Sequence, residues 1–167
     1  MEALRNPYAP PRAEVADIAA TQGPVQTAPA LWNPRAAASW SLLFTPVFGA
    51  ILHMRNWQAL GEPEKAARAK AWAWASFAFI VILTIVSAVL PDSKALDGLS
   101  RVAGLGLLIG WYYASAKEQQ TYLAVRFGKL YPRKGWAKPL LLAVAGIACF
   151  FVAAIVVGVI VGVGLGL

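Results

Sequence analysis

The chain has 167 residues, of which 59% are hydrophobic and only 14% charged, against about 45–50% apolar and about 25% charged in an ordinary soluble domain. A globule this small cannot hide that much apolar surface from water, which excludes a cytosolic enzyme domain, a secreted disulfide scaffold and a coiled coil. It points instead to an all-α, polytopic membrane helical bundle. Fifteen Lys and Arg against eight Asp and Glu leave a net charge of +7; long apolar runs interrupt the basic residues, so anionic lipid headgroups are the expected counterpart and nucleic acid is not.

Residues 1–35 carry Pro7, Pro10, Pro11, Pro24, Pro29 and Pro34 among Ala, Thr and Gln. This reads as a flexible Pro/Ala-rich tail with too little apolar surface to fold alone, apart from a short helix around Glu14–Ala20. No apolar stretch follows a basic start, so a signal peptide is not expected. The membrane domain is expected over 36–167, with apolar segments at 36–54, 71–90, 99–116 and 139–167. The first lies between Arg35 and Arg55, with Pro46 in its middle and Gly49 just beyond. Two readings stay open for it. One is a kinked span, in which neighbouring helices satisfy the carbonyls that Pro46 frees. The other is a re-entrant helix–turn–helix with Leu42–Phe44 and Val47–Leu52 as its arms.

Gly61-Glu62-Pro63-Glu64 predicts a helix start, with proline at the first position and carboxylates facing the dipole. The helix should run from Pro63 to Leu90, its charge-free part 71–90 being long enough to cross about 30 Å of hydrocarbon at about 1.5 Å per residue. A turn at Pro91–Gly98 should return the chain through a shorter span, 99–116, with Arg101 snorkelling towards the headgroups. Arg101–Phe127 lacks a breaker, and Gly128 offers a C-cap. The stretches 63–70 and 117–127 are therefore expected as cytoplasmic extensions of one antiparallel hairpin. Residues 139–167, without a charge, form the last span.

The basic residues orient this map. Segments 55–70 and 117–138 hold four and six, segment 91–101 only two, which places the first two in the cytoplasm and the turn outside. With segment 36–54 re-entrant the split is thirteen against two, whereas a spanning segment makes it ten against five; the cleaner split favours a cytoplasmic N-terminus. Lys65, Arg68, Lys70, Lys117, Arg126, Lys129, Arg133 and Lys134 then form a cationic collar that meets anionic headgroups or an acidic partner. Trp40, Trp57, Trp72, Trp74 and Trp136 lie near the ends of apolar runs, and Trp111, Tyr112 and Tyr113 near the end of the short span, where such rings anchor at the interface. Gly106, Gly110 and Ala114, and Ala154, Gly158, Gly162 and Gly166, recur at every fourth position. That spacing lets helices approach closely in lipid, within the bundle or between copies.

Catalytic chemistry is scarce. His53 is the only histidine and reads as an interfacial polar residue beside Arg55 and Asn56; Cys149, the only cysteine, reads as a small packing residue. No metal-ligand spacing, phosphate loop or nucleophile elbow occurs, so neither a cofactor nor an enzymatic activity is expected. No span carries a charge near its middle, where proton- or ion-coupled transporters place one.

The head Asn6-Pro7-Tyr8-Ala9-Pro10-Pro11, the stretch from Ser41 through Thr45-Pro46 to Gly49, its continuation Asn56-Trp57 to Gly61, and Phe127-Gly128 leading to Tyr131-Pro132-Arg133-Lys134 resemble a group of small, uncharacterised proteobacterial inner-membrane proteins. The resemblance covers about a third of the chain by inspection of these motifs. It implies a multi-pass protein of the bacterial inner membrane and carries no activity with it. The function expected is a non-enzymatic interaction with protein or lipid, as an accessory or assembly subunit or an immunity factor against a membrane-targeting toxin, with a protein partner or a homo-oligomer. A component of a small oligomeric channel or transporter is the alternative.

Overall fold

The computed structural model of the chain describes residues 28–90 and 93–165; the expected helix at Glu14–Ala20 and the last small residue, Gly166, lie outside them. The elements are α1 (Pro34–Ala59), α2 (Pro63–Val89), α3 (Lys94–Trp111), a π-helical turn (Tyr112–Ala116), α4 (Lys117–Phe127) and α5 (Ala137–Leu165). The π-turn joins α3 and α4 into one rod. The described chain is thus an all-α assembly of four helical units. Three of them, α1, α2 and α5, are long and apolar enough to cross a membrane by length and composition. Lys94–Trp111, which carries Lys94, Asp97 and Arg101, is not among the three.

The ends of the helices follow the local signals. Asn33 caps α1, its Oδ1 accepting from the N–H groups of Arg35 and Ala36 at 3.0 and 3.4 Å, with Pro34 at the first position. Pro63 opens α2 with Glu64 in its first turn. Ser93 caps α3 through Leu96 N–H at 3.1 Å, so that helix begins well before Gly98, where the turn was expected to close. Gly128, at φ 59°, ends α4.

α1 is a helix only in name. Phe44 and Thr45 leave helical geometry, Thr45 at φ 68° and ψ 163°, because the residue before proline is driven out of the α region and a positive φ turns the chain sharply. The two arms fold back on each other. His53 Nε2 donates to the Pro34 carbonyl at 3.3 Å, although these residues would lie about 28 Å apart in a straight helix. A Cβ placed on Gly49 would meet Ser41 Oγ at 2.1 Å, a residue otherwise about 12 Å away. The segment is therefore a helical hairpin whose two ends share one side, the geometry of the re-entrant reading, and α1 does not cross a bilayer as a single rod despite its length. A β-branched residue at φ 68° costs about 1–3 kcal/mol, offset by the packing of Phe48 and Leu52 against Ala37, with Trp32, Trp40 and Phe44 around them.

Residues 28–35, expected to belong to the tail, are packed. Leu31 is fully buried beside Leu123 and Tyr131. Its N–H donates to the Pro132 carbonyl and its own carbonyl accepts from Lys134 N–H, both at 2.9 Å, a parallel bridge to Arg133. The boundary expected after residue 35 thus falls inside α1.

The α2 and α3–α4 rods run antiparallel. Arg68 near the start of α2 grips Glu118 of α4 through both carboxylate oxygens at 3.0 Å, and Ala73 packs with Trp111 and Ala116. The π-turn has a mechanical reason. Trp111, Ser115, Gln119 and Leu123 are all buried, yet four-residue steps in a straight α-helix drift by about 40° each. One wider turn takes up part of that drift and keeps the four on one face.

Candidate functional site

Three features gather at the end of the molecule that holds residues 28–35, the α1–α2 connection and the 128–136 loop. The first is a buried polar lock. The Trp32 N–H donates to Asn56 Oδ1 at 3.0 Å and the Trp32 carbonyl accepts from Asn56 Nδ2 at 2.8 Å, so one side-chain amide serves the backbone as a neighbouring strand would. Asn56 Nδ2 also donates to Gln119 Oε1 at 3.1 Å, and Gln119 Nε2 to the His53 carbonyl at 2.9 Å. Asn56, Gln119 and His53 are all fully buried. The His53 ring meets Trp111 edge-on at 5.6 Å, so His53 is a core residue and not the interfacial one expected.

The second is a basic–aromatic rim. The Tyr122 hydroxyl donates to Glu62 at 2.8 Å and accepts from Arg126. Lys65 lies 3.3 Å from Glu62 and above the rings of Trp57 and Tyr122, 4.9 and 4.5 Å from their centroids. Lys134 sits 4.4 Å over Trp32, Arg133 5.7 Å over Tyr131 and Lys117 5.3 Å over Tyr113. Such stacking is worth about 0.5–1 kcal/mol at an exposed site. The collar is thus largely engaged with rings and carboxylates of its own chain, while Lys70 and Lys129 stand exposed. The Tyr122 hydroxyl, and after it Lys65, hold the Glu62 carboxyl below its ordinary range. A carboxyl lowered by folding stabilises the fold above its unfolded value, and the contribution disappears as pH falls through the folded one. Acid unfolding monitored by tryptophan fluorescence should therefore show a component below the ordinary carboxylate range that Glu62→Gln abolishes.

The third is an apolar groove of about 930 Å³ between the α1 hairpin, α2 and α5. Phe44, Phe48, Phe77 and Phe150 are among its walls, and Arg55, Lys134 and Lys138 are its basic residues.

The other expected residues fall apart from this end. Gly106, Gly110, Gly158 and Gly162 have no neighbouring atom within 4 Å of a built Cβ, Ala114 is exposed and Ala154 half-buried. These four glycines therefore make no close helix–helix contact within the described chain. The tightly packed glycine is Gly49, against Ser41 and Trp111. Pro46 is buried at the hairpin turn. Trp57 and Trp111, expected at the interface, are core residues, whereas Trp74 is exposed. Cys149, expected to pack, is exposed on α5. Trp32 and Gln119 lie in no motif, and Ser41 and Asn56 only open two of the stretches that carry the resemblance. Beyond that, their only sequence signal is polarity, or an aromatic ring, placed where an apolar or linker residue would suffice.

Three long apolar helices and a basic end define the chain as a candidate multi-pass membrane protein. Comparison with protein-family models, with curated proteins and with solved structures gives no match, so these physical features carry the functional argument.

Proposed function

We propose that the chain is a non-enzymatic multi-pass protein of a bacterial inner membrane, an accessory or assembly subunit that docks a protein partner or a second copy of itself along α5. One observation carries this reading. α5 is the most apolar of the three candidate spans, yet none of its most apolar stretch is buried within the chain. Its start packs through Leu140 and Ala143 on the α1 hairpin, and a half-buried stripe of Ile147, Phe150, Ala154, Gly158 and Gly162 continues along it. Beyond that, Gly158 and Gly162 are open to close approach, and in lipid such packing drives association. The re-entrant geometry of α1 favours the thirteen-to-two charge split, with the basic end in the cytoplasm.

A photoreactive residue in place of Val159, exposed on α5, should give one discrete protein cross-link in native membranes, and the same probe at exposed Ile82 of α2 none. Adducts to lipid alone at Val159 would overturn the docking role. Orientation has its own readout. In a Cys149→Ser background, Ser93→Cys should react with an impermeant maleimide in intact cells, and Lys129→Cys only after the membrane is opened.

A further inference from the structure

We propose that the groove between α1, α2 and α5 holds one anionic phospholipid, its phosphate on Arg55, Lys134 and Lys138 and an acyl chain running down the groove towards Phe150. This rests on the membrane reading but not on a protein partner for α5.

The groove has the polarity of such a lipid. Its cations come from the end of the hairpin's second arm, from the 128–136 loop and from the start of α5, and they meet at one mouth. From Lys138 to Phe150 the α5 wall descends about 18 Å, and from Arg55 to the Thr45 turn the hairpin wall descends about 15 Å. Over that depth the remaining lining is almost wholly apolar, with aromatic and aliphatic side chains on three sides. Both walls therefore enter about half of a 30 Å hydrocarbon layer, the depth reached by one leaflet.

Among the described residues nothing neutralises the mouth. Among the described residues the ion pairs are Lys65–Glu62 and Arg68–Glu118, and no carboxylate meets Arg55, Lys134 or Lys138. The Trp32 ring beneath the Lys134 ammonium, 4.4 Å away, holds that cation at the mouth without cancelling its charge. A second copy of the chain fits this surface less well. A parallel copy brings its own basic end to the same level, and like charges oppose the contact. A phosphate diester supplies the missing negative charge at the mouth and hydrocarbon below it.

The test is native mass spectrometry of the full chain released from nanodiscs of equimolar phosphatidylglycerol and phosphatidylcholine. One phosphatidylglycerol should be retained per chain, preferred by about tenfold or more over phosphatidylcholine, since each basic residue near an anionic surface contributes several-fold. The combined Arg55→Gln, Lys134→Gln and Lys138→Gln variant should lose the preference. Gly146→Leu, at a groove position where an added Cβ meets nothing within 4 Å, keeps every cation and should lose the bound lipid by filling the groove. Lys70→Gln with Lys129→Gln, which removes two cations outside the groove, should behave as the parent. Inorganic phosphate at millimolar concentration should not displace the lipid; displacement would identify a free-anion site and overturn the proposal. Retention of phosphatidylglycerol by both groove variants, equal binding of the two lipids, or an empty groove would overturn it too. A groove empty of lipid combined with an intact Val159 cross-link would refute the lipid site while leaving the docking role of α5 standing.

Discussion

Gly49→Ala is expected to destabilise the hairpin by about 2–3 kcal/mol, the upper part of the range for overpacking a filled core. A Cβ at this position would lie 2.1 Å from Ser41 Oγ and 2.4 Å from the Trp111 ring. Neither neighbour yields easily: Ser41 is held by its bond to the Ala37 carbonyl at 2.9 Å, and Trp111 is fully buried. Far-ultraviolet circular dichroism should change little, since each arm stays helical. Thermal unfolding in detergent micelles followed by tryptophan fluorescence should move down clearly. Gly104→Ala provides the opposite sign. An added Cβ there meets nothing within 4 Å, and a helix-interior glycine costs about 0.5–1 kcal/mol against alanine, so that variant should be slightly more stable. An unchanged transition for Gly49→Ala would mean that the two arms do not close on each other.

The second large effect belongs to Asn56. Asn56→Leu keeps the volume but leaves the Trp32 N–H, the Trp32 carbonyl and Gln119 Oε1 without their partner. A buried polar group stranded in this way costs about 1–3 kcal/mol, so the sum is about 3 kcal/mol or more. The damage should be local first, because these bonds hold the segment around Trp32 to the hairpin. Limited proteolysis at residues 28–35 should therefore accelerate before global unfolding shifts. Gln119→Leu, which leaves the Asn56–Trp32 pair intact and strands one Asn56 donor, while the His53 carbonyl keeps its bond within the helix, should cost less. Equal effects of the two substitutions would mean that the Trp32 pairing contributes nothing.

What the sequence made legible and what it did not divide along physical lines. α2 and α5 could be placed to within a few residues, because proline, charge and a long apolar run each act locally. The α1 segment stayed undecided because Pro46 permits a kink or a reversal equally well. The choice is made by contacts from Gly49 to Ser41 and Trp111 and from His53 to Pro34, the one with Trp111 joining residues far apart in the chain. Residues 28–33 were read as tail because their composition is that of a linker, and the partners of their backbone lie at Asn56, Pro132 and Lys134. The π-turn is invisible in Tyr112–Ala116, which contains no breaker; it answers a demand set by the face that α3 and α4 must share. The glycine ladders were conspicuous by repetition, whereas the glycine that the interior requires occurs once and without a pattern.

The clamp on Leu31 and Trp32 has a consequence for biogenesis. Trp32 Nε1 donates to the Gly135 carbonyl 103 positions later in the chain. At about 5–20 residues per second of synthesis, the earliest-made part of the described polypeptide must wait about 5–20 s for the groups that fasten it. The first hydrophobic segment thus emerges well before its final moorings exist. A ribosome stalled before residue 132 should leave it accessible to crosslinking by the insertion machinery, and completion of the loop should withdraw it.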